Sequence, residues 1–269
     1  MPQLTINWMY PDLLSLYGDR GNLMALHRWG AWLGLDVQIR RVNSGDPIEP
    51  AHLAVFNSGD LDVAAMLTSR HADHLRAAVA AANQTVVFAT SLALFARTTA
   101  RQSNPDVVGL GLIPADTQEM TVDLTAIKQP FGDDYLLELA QDSPFILAGQ
   151  RHLAGFYIKT LAVDLDPKVS PFADVSYGLD NTTLHRHGGN DGATHDSICW
   201  TGLLGPALVR NPWLTVALIE LGLADAATHP DEGRLRQAWS LEQQSLAAVT
   251  AFAEAKRADP RSWQPVLAR

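Results

Sequence analysis

The sequence contains a single cysteine, Cys199, among 269 residues. One cysteine excludes an intramolecular disulfide and any zinc site built from four cysteines. No run of about 18 uncharged apolar residues occurs, so we predict no membrane span. Acidic residues outnumber basic ones, and the net charge of −9 argues against nonspecific binding to nucleic acid. We therefore expect a cytoplasmic protein without a nucleic-acid partner.

Apolar residues, in contrast, make up 47% of the chain, which is enough to form a large core. Short strand-like segments alternate with helical patterns through the first hundred residues, and several of the strands are continuously apolar. This alternation is typical of a parallel sheet covered by helices on both faces, so we predict an α/β fold. The predicted strands span residues 4–8, 36–42, 53–56 and 86–89, and the helices between them span 20–33, about 61–82 and 92–97.

The pattern changes after about residue 107, where short strand-like runs are separated by turn residues. We predict antiparallel additions to the sheet from the runs 107–113, 119–127, 156–164 and 173–177. A helix is predicted to begin at Pro212 and to end at Gly222. Another helix over 231–257 carries an apolar stripe, which either packs on the chain's own core or binds a partner. The stripe consists of Leu235, Trp239, Leu246, Val249 and Phe252.

A polar loop follows the first predicted strand. Ligand crevices of open α/β sheets lie at the carboxyl ends of the strands, so this loop is a candidate ligand site. Turn and capping chemistry is the alternative, with Asp19 as the N-cap of the next helix. The candidate ligand-binding residues are Asp12, Tyr17, Asp19, Arg20 and Asn22.

Two further turns follow strands three and four. The turn at Asn57, Ser58 and Gly59 can direct backbone N–H groups at an anion or oxyanion, or Ser58 or Asp60 can cap a helix. The fourth strand ends in a strand-to-helix elbow, the position where several hydrolases and amidotransferases carry a nucleophile. Here Ala89 occupies the tip, and an alanine has no nucleophilic atom.

Two other side chains are candidate nucleophiles. Ser91 follows the elbow tip by two residues, although a serine there more often caps the helix. Cys199 lies in an apolar predicted strand, where a cysteine more often behaves as a small hydrophobe.

Three histidines and an aspartate lie close together in one polar segment. His185, His187, Asp191 and His195 could in principle bind zinc, but the glycines between them indicate a solvated loop. We predict neither a metal site nor a cofactor.

Three segments together resemble the CobB/CobQ-like class I glutamine amidotransferases, especially the GatD-like subunit of lipid II isoglutaminyl synthase. The strongest match is residues 10–22, which read YPDLLSLYGDRGN. Residues 110–112 and 205–212 match later blocks of the family, and the order of the blocks agrees over about residues 3–225. The resemblance implies a flavodoxin-like fold with a central, mostly parallel sheet, helices on both faces, antiparallel additions and a long C-terminal helix. We assign residues 1–225 to this amidotransferase-like domain and 226–269 to a C-terminal helical extension that packs on it.

The resemblance also implies an activity and a partner. Members of the family hydrolyse glutamine with a cysteine thiolate and a histidine base, and the ammonia amidates the D-glutamate of the peptidoglycan stem. The amidation is carried out by a Mur-ligase-like synthetase subunit, MurT. A MurT-like synthetase is therefore the expected partner of this chain.

This chain departs from the family at the catalytic positions. Ala89 stands at the position of the cysteine, and Leu204 stands at that of the histidine. The oxyanion turn is reduced to Asn57, Ser58 and Gly59. A further family block reads GFYIK over 155–159, and Asp123 replaces an arginine of the family's pattern. The resemblance thus indicates a homologue without glutaminase activity.

Such a homologue would act as a binding or regulatory subunit, beside a MurT-like ligase that uses free ammonia. One alternative is a hydrolase or amidotransferase with a relocated nucleophile, Ser91 or Cys199, and a histidine base from the 185–195 segment. Another is a protein that binds a small molecule or a cell-wall fragment through the loop at 10–22.

Overall fold

A computed structural model describes residues 2–120, 132–182, 188–224, 236 and 239–258. The strands in this part of the chain are β1 (Gln3–Met9), β2 (Asp36–Val42), β3 (Ala51–Phe56), β4 (Ala82–Phe88), β5 (Thr98–Ala100), β6 (Val107–Val108), β7 (Ala115–Glu119), β8 (Gly132–Glu138), β9 (His152–Ile158), β10 (Leu161–Leu165), β11 (Ala173–Tyr177), β12 (Asn190–Asp191), β13 (Ala193–His195) and β14 (Ile198–Thr201). The helices are α1 (Arg20–Trp32), α2 (Leu61–Ala80), α3 (Leu92–Phe95), α4 (Ala207–Arg210), α5 (Pro212–Leu223) and α6 (Ser240–Ala258).

The central sheet has six strands in the order β13-β14-β4-β3-β1-β2, and every pair except β13 with β14 is parallel. Side chains alternate between its two faces, as the pleat requires. In β3, Val55 joins the core cluster beneath α1 and α5, whereas Ala54 and Phe56 join the cluster beneath α2 and α3. The prediction of a parallel sheet covered on both faces is therefore confirmed.

The predicted antiparallel additions form two four-stranded sheets of their own, apart from β13 in the central sheet, and all their strand pairs are antiparallel except β5 with β7. One has the order β10-β7-β5-β6 and the other β12-β11-β8-β9. The predicted run 156–164 is divided between β9 and β10, and 107–113 contributes only the two residues of β6. The predicted run 119–127 lies mostly outside the described residues. An isolated bridge between Phe156 and Leu204 connects β9 to the chain that follows β14.

The predicted end of α5 at Gly222 is wrong, because the helix continues to Leu223. Gly222 is a packing glycine instead of a helix terminator. A Cβ there would lie 2.7 Å from Leu53 Cδ2 and 3.0 Å from the carbonyl oxygen of His52, so only glycine lets α5 approach β3 this closely. Pro212 occupies the first turn of the helix, as predicted.

Helix α6 packs on the sheet that contains β8 and β9. Ala253 is buried against Leu136, Ala154 and Tyr177. Lys256 Nζ lies 2.7 Å from Asp133 Oδ1 and secures the end of the helix to β8.

The predicted apolar stripe of the C-terminal helix holds only in part. Trp239 is fully buried just before α6, and Leu246 and Val249 are partly buried. Phe252 is 49% exposed, because the Lys256 ammonium rather than the core covers its ring, at 4.5 Å. Leu235 lies outside the described residues.

The division at residue 225 stays a prediction, since 225–235 lie outside the described residues too. Across the described stretches, no helix combines the length and apolarity needed to cross a bilayer.

Candidate functional site

The strand-to-helix elbow lies at the carboxyl end of β4, near the middle of the central sheet. Ala89 at its tip has φ +45°, in the left-handed region that non-glycine residues seldom adopt. Its carbonyl oxygen accepts a hydrogen bond of 2.9 Å from Trp200 Nε1 on the neighbouring strand β14. The elbow thus has the strained geometry that can present a nucleophile, yet it presents a methyl group.

The two hydroxyls after the tip bind the elbow to the turn that follows β3. Ser91 is 2% exposed and donates to the carbonyl oxygen of Asn57 at 2.5 Å. Thr90 donates to the carbonyl oxygen of Gly59, and Ser58 Oγ lies 3.2 Å from Thr90 Oγ1. Ser91 therefore serves as a buried structural donor, and its contacts count against a role as nucleophile.

Asp19 connects the first loop to the turn that follows β3. It stands at the N-cap position of α1, as expected, but its side chain makes no capping hydrogen bond to the helix. Its Oδ2 accepts the backbone N–H of Ser58 at 2.8 Å, and the nearby backbone N–H of Gly205 acts to lower the pKa of the same carboxyl group. Asp19 Oδ1 is buried and has no hydrogen-bond partner among the described residues. Burial raises the pKa of Asp19 to about 7, although both backbone donors oppose this.

Asn22 holds α1, α4 and the turn after β3 together. Its Oδ1 accepts the backbone N–H of Leu208 at 3.0 Å, and its Nδ2 lies 3.4 Å from Asn57 Oδ1. Both asparagines are fully buried, and Asn57 Nδ2 has no partner in the described chain. The structure thus brings together Asp19 and Asn22 from the first loop with Asn57 and Ser58.

The remaining candidates of the first loop do not join this cluster. Asp12 is exposed and forms a 2.6 Å ion pair with Arg41. Tyr17 is 42% exposed, with φ +55°. Arg20 faces a groove along α1. The loop is therefore divided between a buried set and a surface set.

The position after β14 where the resemblance leads us to expect a histidine holds an aliphatic side chain. Leu204 is 1% exposed, and its N–H donates to the carbonyl oxygen of Phe156 at 2.9 Å. Gly205 follows with φ +51°, and a Cβ there would lie 2.1 Å from Phe156 Cε1. Leucine cannot accept a proton, so no base is present at this position.

Cys199 is buried within β14. Burial raises the pKa of its thiol to about 12, opposed by a hydrogen bond with Gln84. A thiol with this pKa contains very little thiolate at neutral pH, and the thiolate is the nucleophilic form. This location favours the interpretation of Cys199 as a small core residue.

Sequence reasoning missed a buried ion pair beside the elbow. Lys159 Nζ lies 3.1 Å from Asp191 Oδ1, and Asp191 is fully buried. Asp191 also accepts hydrogen bonds from Tyr135 Oη at 2.8 Å, Thr201 Oγ1 at 2.7 Å and the N–H of Gly202 at 3.0 Å. The available signal was the lysine in the apolar strand segment 155–159, because a buried lysine requires an anionic partner.

A small cavity lies between this ion pair and the elbow. The cavity has a volume of about 20 Å³ and is lined by Ala89, Thr90, Lys159 and Gly202, among others. A Cβ on Gly202 would lie 2.6 Å from Asp191 Oδ1 and 3.0 Å from Lys159 Nζ, so a glycine is needed beside the pair. The cavity is large enough for about one water molecule.

The residues considered as zinc ligands have other surroundings where the structure describes them. Asp191 pairs with Lys159, and His195 lies in β13 with 32% of its side chain exposed. His185 and His187 lie outside the described residues. Within the described ranges, no group of three histidine, cysteine or carboxylate residues could hold a metal ion.

Comparison with known proteins concerns the fold. The sequence matches no protein-family profile, and no curated protein sequence is similar to it. A chain of PurLQS from Thermotoga maritima has a similar structure, with a TM-score of 0.53 and 12% identity, covering 83% of this chain and 98% of that one. A glutamine amidotransferase from Thermotoga maritima aligns at a TM-score of 0.48 and 10% identity, covering 94% of this chain and 100% of that one. The glutaminase domain of Trypanosoma brucei CTPS aligns at 0.49 and 10%, covering 82% of this chain and 94% of that domain.

The likeness to the PurLQS chain confirms the predicted α/β fold. The protein has a mixed α/β, parallel-rich architecture similar to that of the PurLQS chain. Its elbow and the turns around it occupy the carboxyl ends of the central strands, where α/β folds of this kind build their sites.

Asp19→Asn is expected to change how stability depends on pH. Because the pKa of Asp19 is raised to about 7 in the folded protein, the native state binds a proton that the unfolded state releases above pH 4. The wild-type protein should therefore lose stability as the pH rises from about 4 to about 7, by up to about 4 kcal/mol. The asparagine variant lacks this loss, so its stability relative to wild type should increase between about pH 5 and about pH 8.

Chemical denaturation of both proteins at the two pH values measures this change. An equal difference in unfolding free energy at both pH values would contradict the prediction. Asp12→Asn is the matched control, because Asp12 lies at the surface in an exposed ion pair. This control should change the unfolding free energy by less than about 1 kcal/mol.

Proposed function

We propose that this chain is a glutamine amidotransferase homologue of the GatD type that does not hydrolyse glutamine and acts as a binding or regulatory subunit. One observation carries the proposal. The elbow has φ +45° at its tip, as a nucleophile elbow requires, but the residue at the tip is Ala89. Glutamine hydrolysis of this class needs a nucleophile, a base and donors for the oxyanion, and the first of these is missing.

The surroundings of the elbow support the same proposal. Leu204 stands where a base is needed, and Ser91 and Cys199 are both buried in structural roles. The buried contacts of Asp19, Asn22 and Asn57 nevertheless keep the turns around the elbow in place. A site that keeps its framework without its reactive groups fits binding better than turnover.

The proposed partner is a MurT-like synthetase of the Mur-ligase type, working on peptidoglycan precursors. This partner follows from the resemblance of residues 10–22, 110–112 and 205–212 to the GatD-like subunit. The synthetase would then use free ammonia, because this chain would deliver none.

An assay of glutamate release from glutamine tests the proposal, with the purified protein alone and with any co-encoded ligase. We expect no release above the buffer background in either case. Release by the purified protein that is lost in Ser91→Ala or Cys199→Ala would overturn the proposal in favour of a relocated nucleophile. Release that appears only with the ligase would also overturn it, because a nucleophile would then be assembled in the complex.

A further inference from the structure

A long groove runs along the outer side of α1, away from the elbow. Its volume is about 620 Å³, within the range of small-molecule sites. Residues of α1 form most of it, and Trp8 of β1, Ile39 of β2, Val209 of α4 and Glu242 of α6 complete its lining. Three indole rings line it, from Trp8, Trp29 and Trp32.

Part of this aromatic surface is exposed to solvent. Met24 is 63% exposed and Trp32 is 47% exposed. Together with Arg28 they form one stripe at a spacing of four residues, so all three side chains lie on the same side of α1. Trp29 and Trp32 meet edge to face, with ring centroids 4.9 Å apart, and the Arg28 guanidinium lies 4.5 Å from the Trp32 ring centroid.

The charge of the groove is opposite to that of the whole chain. Arg20, Arg28 and His27 line it, whereas Glu242 is the only acidic residue among the described residues of its lining. In the described part of the chain, neither Arg20 nor Arg28 forms an ion pair with a carboxylate. In a protein with a net charge of −9, two such arginines beside the exposed indole of Trp32 create a local site for an anion.

We propose that this groove binds a small ligand that combines a planar aromatic ring with a phosphate or carboxylate group, as a nucleotide does. Indole rings stack on planar ring systems, and a guanidinium can hold a phosphate or carboxylate through two parallel hydrogen bonds. Trp32, which is 47% exposed, supplies the stacking surface, the buried Trp29 supports its edge, and Arg28 supplies the cation one helical turn away. The proposal is independent of glutamine hydrolysis, since the groove shares no residue with the elbow.

Isothermal titration with adenosine 5′-monophosphate tests the proposal, with adenosine and ribose 5-phosphate as the two halves of the ligand. We expect the nucleotide to bind with a dissociation constant between about 1 μM and about 1 mM, and each half to bind at least about tenfold more weakly. Flavin mononucleotide, which has a larger planar ring, should bind the same site and quench tryptophan fluorescence. The proposal would be overturned if neither adenosine 5′-monophosphate nor flavin mononucleotide binds.

Two pairs of surface variants locate the binding. Arg28→Glu and Trp32→Ala should each weaken nucleotide binding by about tenfold or more. Arg70→Glu makes the same charge change on the opposite face of the sheet, and Val108→Ala removes an apolar side chain that is 71% exposed on β6. Both controls should leave binding unchanged, and equal losses in Arg28→Glu and Arg70→Glu would overturn the site.

The groove has two other conceivable occupants, and each leads to a different result. Light scattering that shows a dimer dissociated by Trp32→Ala would overturn the proposal in favour of a second copy of this chain. Binding of a poly-glutamate peptide in the absence of nucleotide binding would overturn it in favour of an acidic protein segment.

Discussion

Asp191→Ala is expected to lower the free energy of unfolding by about 3 to 5 kcal/mol, because it leaves the buried Lys159 ammonium without its carboxylate. The side chain of Lys159 is 6% exposed, so water cannot readily take the place of the lost partner. Thr201 and the N–H of Gly202 also lose their acceptor, whereas Tyr135 keeps the Leu179 carbonyl oxygen at 2.7 Å. Urea denaturation at neutral pH measures this loss.

Two further variants test whether the unpaired buried charge causes this loss of stability. Asp191→Asn keeps an acceptor oxygen and should remain folded while still losing stability. The double variant Lys159→Met with Asp191→Leu should lose less than the sum of its two single variants, because neither charge is then left unpaired.

Asp116→Ala is the surface control. It removes the carboxylate of an exposed ion pair with Arg97 and should cost less than about 1 kcal/mol. A loss below about 1 kcal/mol for Asp191→Ala as well would contradict the prediction.

Ala89→Cys is expected to make the protein react with iodoacetamide at least about tenfold faster than wild type near pH 8. In the wild-type protein the only thiol is Cys199, which is 3% exposed and whose pKa burial raises to about 12. A cysteine at position 89 would replace an alanine that is 8% exposed, at the tip of the elbow and beside the small cavity. Mass spectrometry of the alkylated protein measures the rate and the position.

Ser91→Cys is the matched control, because it places a thiol two residues further on in a side chain that is 2% exposed. We expect it to react about as slowly as Cys199. If folded Ala89→Cys reacts no faster than wild type, the elbow does not present its tip side chain to the cavity. We expect no glutamate release from Ala89→Cys, because Leu204 still supplies no base.

The sequence predicts the central sheet well because the signals there are local. Continuous apolar strands such as 53–56, the turn residues after them and the helical spacing of Leu23 and Leu26 each depend on neighbours only a few residues away. The structure confirms these strands and α1, and Asp60 caps α2 by accepting the N–H of Val63 at 2.8 Å.

The sequence fails where two distant segments meet. Gly222 has the residue type of a helix terminator, but its role is set by the approach of α5 to β3. Asp19 occupies the N-cap position that its residue type indicates, yet its carboxylate accepts a hydrogen bond from the backbone of Ser58, 39 residues away, and none from α1. Phe252 has the spacing of a core residue, but Lys256 covers it at the surface.

The sequence by itself determines that positions 89 and 204 carry neither a thiol nor an imidazole, because residue identity alone decides whether a side chain can attack an amide or accept a proton. It also determines the alternation of strands and helices. Only the tertiary structure decides that Asp191 pairs with Lys159 instead of binding a metal, that Asp19 is buried against Ser58 and Gly205, and that Arg28 and the indoles share one groove. Burial and pairing depend on which parts of the chain fold against each other, and residues 32 positions apart, such as Lys159 and Asp191, carry no local signal of their contact.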